Sequence, residues 1–338
     1  MVLFVLFAVI TGAAPTITLQ NGVVMPQLSA GTGGYDNASA AEAISVAVNA
    51  GVLAFHTAYD YSNLPGVRAG LAQAIAMVGR DALFITAMTS PCIHTASSPK
   101  RNVSDPVACE KLTATELNAT LDQLGLERAD LVLLHGPSEP FGYTGACDAT
   151  VCALNRAQWR AYSALLAAGR TRAIGVSNYC QSCLGCLTTS DHAEAGEAAM
   201  EPVQVNQLQL HVGMGANAQN LTRYCDAHDI VLQAYGPLAS GAVATACPLC
   251  ASIGARHGNR SAAAVGLRWI AQQRDLLPGL QRPPAIVVKA SNPVYMREDA
   301  SAVWTEEWSL TADDMTALAA LTAPTGQQDG RPSWGCAE

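Results

Sequence analysis

Eight short apolar runs of strand type recur along the chain, at residues 27–30, 52–55, 83–87, 131–134, 172–176, 202–206, 230–234 and 285–288. Between them lie stretches such as 40–49, 66–77, 114–124, 156–168, 217–228 and 262–273, whose apolar residues fall at i, i+3 and i+4 as in an amphipathic helix. Strand followed by helix, repeated with short connections, calls for a parallel sheet with helices packed on its outside. Eight such units predict an α/β fold, a (β/α)8 TIM barrel, in place of a doubly wound sheet. One barrel accounts for 338 residues, and no linker or break in composition divides the chain. The run Gly31-Thr32-Gly33-Gly34 after the first strand is too short for a dinucleotide-binding glycine loop. Thr311 and Asp314 are spaced to cap a last amphipathic helix.

The N-terminus adds a second constraint. Residues 2–10 are apolar and lead into Thr11, Gly12, Ala13 and Ala14, the pattern of a secretory signal peptide cleaved near Ala13 or Ala14. The run is too short to span a bilayer, so no stable membrane span is expected. The alternative is a buried first strand and a cytoplasmic location. Directly afterwards, residues 16–25 alternate around the turn dipeptide Asn21-Gly22, which predicts an N-terminal β-hairpin ahead of the barrel. The expected division is therefore a signal peptide over 1–14 and a single barrel domain over 15–338.

Two further features bear on the compartment. Asn37, Asn102, Asn118, Asn220 and Asn259 each open an Asn-x-Ser/Thr triplet, and the chain has eleven cysteines. In a secreted chain this implies disulfides with one thiol left over, and places the protein in the secretory pathway or outside the cell. Cys147 and Cys152 are expected to staple the loop after the fourth strand. A zinc reading of the Cys180 to Cys186 cluster with Cys247 and Cys250 is the alternative, and no metal is assigned. The net charge of -8 excludes a nucleic-acid partner, which needs a basic face.

Chemistry-bearing residues gather at the strand ends. Phe55-His56-Thr57-Ala58-Tyr59-Asp60-Tyr61 and Asp130-Leu131-Val132-Leu133-Leu134-His135 are apolar approaches that end in polar groups, so both deliver a side chain to one rim of the barrel. These runs resemble the aldo-keto reductases, whose motif after the second strand is Asp-Thr-Ala-x-x-Tyr and whose fourth strand ends in His-x-Pro, here His135-Gly136-Pro137. The resemblance continues through Leu124 to Leu131, Ala173 to Tyr179, Val205-Asn206-Gln207 with His211, Ala234 to Leu238, Gly266 to Trp269 and Val287 to Asp299.

The resemblance implies NADPH-dependent reduction of a small-molecule carbonyl substrate by a monomer. Tyr61 would be the proton donor, assisted by His135; His56, which replaces a family residue, either assists in protonated form or is a packing or hydrogen-bonded replacement with no catalytic role. It assigns Gly31 and Thr32, Ser177, Asn178, Gln207, Tyr235, Leu238, Ser240, Lys289 and Asp299 to cofactor binding, and Arg297 either joins them from the same helix or is a solvated surface charge. Ser177, Asn178 and Gln207 would hydrogen-bond the nicotinamide carboxamide, Tyr235 would stack on its ring, and Lys289 would meet a 2′-phosphate. Departures are equally specific. His56 stands where the family has an aspartate, Met88 where it has a lysine, Tyr295 where it has an arginine and Asp299 where it has an asparagine. Met88 reads as core filler and Asp60 as a surface or supporting group. The competing class is a non-catalytic barrel that binds a ligand or partner.

Overall fold

The computed structural model describes residues 14–94, 101–138, 147–188, 200–215, 218–277, 280–289 and 291–324. Eight parallel strands close on themselves: β1 (Leu28–Gly31), β2 (Ala54–Ala58), β3 (Phe84–Thr89), β4 (Ala129–Leu134), β5 (Thr171–Ser177), β6 (Val205–Gln209), β7 (Val231–Tyr235) and β8 (Ala285–Val288). Each strand pairs with its neighbour in sequence, and β8 returns to β1. All eight expected strands form. The second begins and ends later than expected, at Ala54–Ala58, which brings His56 into the strand itself.

Helices alternate with the strands: α1 (Asn37–Asn49), α2 (Leu64–Val78), α3 (Pro106–Leu124), α4 (Ala149–Ala167), α5 (Gln181–Thr188), α6 (Ala218–Ala227), α7 (Ala262–Ala271), α8 (Pro293–Trp304) and α9 (Ala312–Ala319). Two short helices, Ala242–Ala246 and Pro248–Arg256, fill the connection from β7 to α7. Asp36, Asp105, Asp148 and Ser261 accept backbone N–H groups at the starts of α1, α3, α4 and α7. Such caps satisfy donors that the first helical turn leaves unpaired. Thr311 and Asp314 form the expected capping box on α9.

Strand periodicity divides the core in two. Phe55, Ile85, Val132, Ile174, Leu208, Leu232 and Ile286 face outward and pack under the helices. Ala54, Phe84, Met88, Leu131, Leu133, Ala173, Val205, Val231 and Ala285 fill the barrel interior together with Ile17, Leu19 and Met25 of the N-terminal hairpin. That hairpin pairs Thr16–Thr18 with Val24–Pro26 around the Asn21-Gly22 turn, with Gly22 at φ 82°. Its three apolar side chains are almost fully buried, and each stabilises the barrel by about 1.5–3 kcal/mol on removal from water. Gly175 of β5 has no alternative residue, because an added Cβ would lie 2.4 Å from the Val205 carbonyl oxygen.

Four disulfides join described cysteines: Cys92–Cys109, Cys147–Cys183, Cys152–Cys186 and Cys247–Cys250. The expected stapling of one loop by Cys147 and Cys152 is corrected. Each pairs instead with α5, lashing that short helix to the start of α4. These bonds also take thiols from the cysteine cluster of the zinc alternative. Cys225 is a buried free thiol, whose pKa burial pushes up to about 12. All five sequon asparagines are exposed. Among the described residues no helix is long and apolar enough to cross a membrane. The N-terminal apolar run apart from Ala14, Lys100 and the Trp334-to-Cys336 tail lie outside the described residues.

Candidate active site

Because alternate strand residues face inward, one parity carries both the inner core and the site above it. On β2 that parity is Ala54, His56 and Ala58; on β3 it is Phe84, Thr86 and Met88; on β7 it is Val231, Gln233 and Tyr235. A cleft of about 740 Å³ opens at the C-terminal ends of the strands. His56, Tyr61 and His135 border it, as do Gly31, Ser177, Asn178, Gln207, Tyr235, Leu238, Ser240 and Lys289. Gly33, Gly236, Pro237, Gly241, Val287 and Val288 complete this lining. Sequence reasoning had not assigned those six, and the signal that could have found them is a place within two residues of an assigned one.

Tyr61 ends a single 3₁₀ turn, Tyr59–Tyr61, that follows β2 directly. Ser62 then adopts a left-handed backbone at φ 58°. The Tyr61 ring rests on Gly33, where an added Cβ would sit 3.0 Å from Cζ and 3.3 Å from the hydroxyl oxygen. His135 meets Tyr61 edge-on, with ring centroids 5.7 Å apart. Its backbone is held by the N–H donating to the Thr89 carbonyl at 2.9 Å and by the carbonyl accepting from Asn178 Nδ2 at 2.9 Å. The His135 Nδ1 lies 3.0 Å from Asp60 Oδ1. Asp60, expected at the surface or in support, is therefore a direct partner of a site histidine.

His56 and Met88 place no charge on this side of the site. His56 is 3% exposed, and its Nε2 has no hydrogen-bond partner. Burial, and secondarily the neighbouring His135, lowers its pKa to about 3. The protonated reading of His56 is thus corrected to a neutral imidazole, because burial in the barrel interior disfavours the charged form. Its ring centroid stands 6.4 Å from that of Tyr61. Met88 is fully buried in the inner core, as core filler should be.

The opposite wall is a hydrogen-bonded chain. Ser177 Oγ donates to the Gln207 carbonyl at 2.9 Å, and the Asn178 backbone N–H donates to the same oxygen at 2.8 Å. Asn178 Nδ2 reaches Ser177 Oγ at 3.1 Å, while its Oδ1 accepts from the Tyr235 hydroxyl at 2.8 Å. Gln207 Nε2 donates to Gln233 Oε1 at 2.7 Å, and the Gln233 amide nitrogen is buried without a partner. Asn178 takes a left-handed backbone at φ 61°, as do Ala239 and Ser240 at φ 50° and 54°. Strained, over-determined backbone of this kind clusters where a ligand must be met in one geometry. Lys289 Nζ lies 4.4 Å from the centroid of the Tyr35 ring, on the far side of Gly34.

Three assigned cofactor residues fall elsewhere. Thr32 is buried off the cleft, its hydroxyl donating to the His56 carbonyl at 3.1 Å. Arg297 is exposed on α8. Asp299 is buried, and burial, then Glu298, raises its pKa to about 7. The remaining set still fits a nicotinamide dinucleotide. Amide and hydroxyl groups suit a carboxamide, an aromatic ring lies beside them, and an added Cβ at Gly241 would meet open space. A lysine stands at the far end for a phosphate.

Comparison with known proteins agrees with this arrangement. The profile of the Aldo/keto reductase family matches residues 22–323. An aldo-keto reductase of Mycobacterium bovis is 30% identical over 315 residues, covering 93% of each chain. The uncharacterized oxidoreductase YtbE of Bacillus subtilis is 31% identical over 307 residues, covering 90% of this chain and 91% of the relative. A crystal structure of an aldo/keto reductase from Brucella melitensis superposes with a TM-score of 0.70 at 23% identity, over 91% of this chain and 99% of that one. It shares the fold. With barrel, rim and profile in agreement, the chain belongs to the aldo/keto reductase family and is an oxidoreductase.

Proposed function

We propose that the protein reduces an aldehyde or ketone to an alcohol with NADPH, Tyr61 giving the proton to the carbonyl oxygen and His135 assisting. The observation that carries this reading is one cleft bordered by a tyrosine and a histidine on one side and by Ser177, Asn178, Gln207 and Tyr235 on the other. NADPH bound there supplies the hydride. The amide and hydroxyl groups orient the ring, the Tyr235 side chain covers it, and Lys289 favours the 2′-phosphate. A free phenol has a pKa of about 10, so Tyr61 needs help to act at neutral pH.

The altered proton side gives a second reading. A neutral His56 and a buried Met88 leave no ion pair there to tune the phenol, which favours a barrel that binds a ligand or partner without turnover. NADPH titration followed by fluorescence and thermal shift, then an aldehyde panel with wild type and Tyr61→Phe, separates the two. The expected outcome is binding by both proteins and a loss of turnover of about 10³-fold in Tyr61→Phe. Undiminished turnover in the variant would remove Tyr61 from the proton step.

The same reading extends to the compartment: the signal-like N-terminus, exposed sequons and disulfides support secretion as a monomeric single-domain glycoprotein. Glycan mass on the native protein tests it.

A further inference from the structure

Asp60 occupies a position of the Tyr61 motif that carries no role in the resemblance, yet its carboxylate lies 3.0 Å from His135 Nδ1. Both side chains are largely buried, at 10% and 19% exposure. A carboxylate can only accept, so the proton of that hydrogen bond belongs to His135 Nδ1. A cation stands behind the pair. Arg101, on the strand pair Ile93–His94 with Arg101–Asn102, lies with its guanidinium carbon 5.8 Å from the centroid of the Tyr59 ring and interacts electrostatically with Tyr59 and Asp60. Glu116 binds the same guanidinium. The opposite charges absent at positions 56 and 88 thus reappear around Asp60, in the turn that follows β2.

We propose that Asp60 is a positioning residue for the proton step, holding the Nδ1–H form of His135 so that Nε2 exchanges the proton with Tyr61. The inference rests on the reductase reading for its chemical use, though not for its geometry. In that use the carbonyl carbon gains the hydride of a reduced nicotinamide, and the oxygen gains the Tyr61 proton as the Tyr61 O–H bond breaks. Tyr61 is reprotonated from the Nε2–H of a doubly protonated His135. The imidazole that remains keeps its proton on Nδ1, against Asp60, and Nε2 is reloaded from solvent. A buried carboxylate that fixes the tautomer of a proton-transferring histidine is a known device of hydrolases. Here it stands beside a phenol. The groups facing His135 in this scheme are Asp60, Tyr61 and the neutral His56, with Arg101 acting through Asp60.

The test compares full-length wild type with Asp60→Asn, which keeps the volume, and Asp60→Ala. Histidine side-chain ¹⁵N spectra, with the His135 signal identified by its loss in His135→Gln, report which nitrogen carries the proton. The expected result is Nδ1–H in wild type and a shift toward Nε2–H in Asp60→Ala. The kcat for an aldehyde should fall about 100-fold in both variants while the KM for NADPH is unchanged. A merely structural Asp60 predicts that Asp60→Asn keeps its kcat. An unprotonated Nδ1 with the proton on Nε2 in wild type, or identical spectra in wild type and Asp60→Ala, overturns the proposal even if the variants are slow. If wild type neither binds NADPH nor turns over any aldehyde, the reductase reading fails, while the spectra still decide the Asp60–His135 link. Retention of native near-ultraviolet dichroism by Asp60→Asn separates either result from misfolding.

Discussion

Across one cleft, the rims of β5 to β8 present Ser177, Asn178, Gln207, Tyr235 and Lys289 as the family pattern implies, whereas β2 presents His56, with Met88 of β3 buried behind it, in place of a carboxylate and a lysine. The two sides differ in what their residues are attached to. Ser177 and Asn178 both bind the Gln207 carbonyl, and Asn178 also binds the His135 carbonyl, so these groups hold strand ends together besides facing a ligand. Removing the Asn178 side chain takes a hydrogen-bond partner from the His135 carbonyl and from the Tyr235 hydroxyl, at about 1–3 kcal/mol. An aspartate and a lysine on β2 and β3 would satisfy chiefly each other. Such a pair is costly to lose singly and cheap to lose together. Joint replacement on the proton side is therefore physically available, while loss of Asn178 alone on the cofactor side carries a direct cost in strand-end hydrogen bonds.

The largest expected effect tests that claim on the proton side. Thr86 lies opposite His56 and Met88 opposite Ala58 in the β2–β3 ladder, so positions 56 and 88 are diagonal neighbours inside the barrel. Met88→Lys alone places an ammonium in a fully buried site beside a neutral imidazole, and should cost about 3–5 kcal/mol in urea unfolding. His56→Asp with Met88→Lys should recover at least about 2 kcal/mol of this through their coupling. Additive costs in the double variant would break the comparison, because they would show that the two positions do not balance each other.

The next effect concerns the neutrality of His56. With a folded pKa of about 3 and an ordinary unfolded value of about 6.5, the unfolded chain binds more protons between those limits. Stability therefore rises with pH across that window and falls as the solution is acidified through it. Between pH 7 and 4.5 this histidine should remove about 2–3 kcal/mol, a loss absent from His56→Asn. Urea unfolding of the two proteins at both pH values measures the difference. Equal acid sensitivity would mean that His56 is charged or solvated in the folded state, and the two sides of the cleft would be more alike than they look.

The barrel was legible because its signal is repeated: eight strand-type runs with turn chemistry between them allow few other closures, and the Asn21-Gly22 turn fixed the hairpin. His135, Ser177 and Gln207 continue the inward parity of their strands, in keeping with their place in the family motifs, whereas Tyr61 is brought to the cleft by the 3₁₀ turn after β2. Two kinds of fact were hidden. Pairings between segments far apart in sequence, such as Cys147 with Cys183, depend on where α5 packs, which no local pattern specifies. The protonation of His56 and the link from Asp60 to His135 depend on burial and on a contact between β2 and β4, and composition carries neither. Position in a family motif does not by itself decide contact: the turn of α8 leaves Arg297 exposed, as a solvated surface charge would be, and Asp299 buried.

The smallest expected effect lies on the cofactor side and bears on its preference. Lys289 is held over the Tyr35 ring at 4.4 Å, within reach of the cleft, and it is one of only three lysines in the chain. Its neighbours supply little further positive charge, since Arg297 is exposed away from the cleft and Tyr295 stands where the family has an arginine. Lys289→Ala should therefore weaken NADPH binding about tenfold, roughly 1.4 kcal/mol, while NADH, which lacks the 2′-phosphate, keeps its affinity. The NADPH difference should shrink as salt rises, because an exposed ion pair of this kind is screened. Fluorescence titration of both cofactors at two ionic strengths reads all of these quantities. Equal weakening of NADPH and NADH would mean that Lys289 shapes the cleft through Tyr35 and Gly34 and does not recognise a phosphate. In that event the cofactor side, too, would have kept its residues while changing their use.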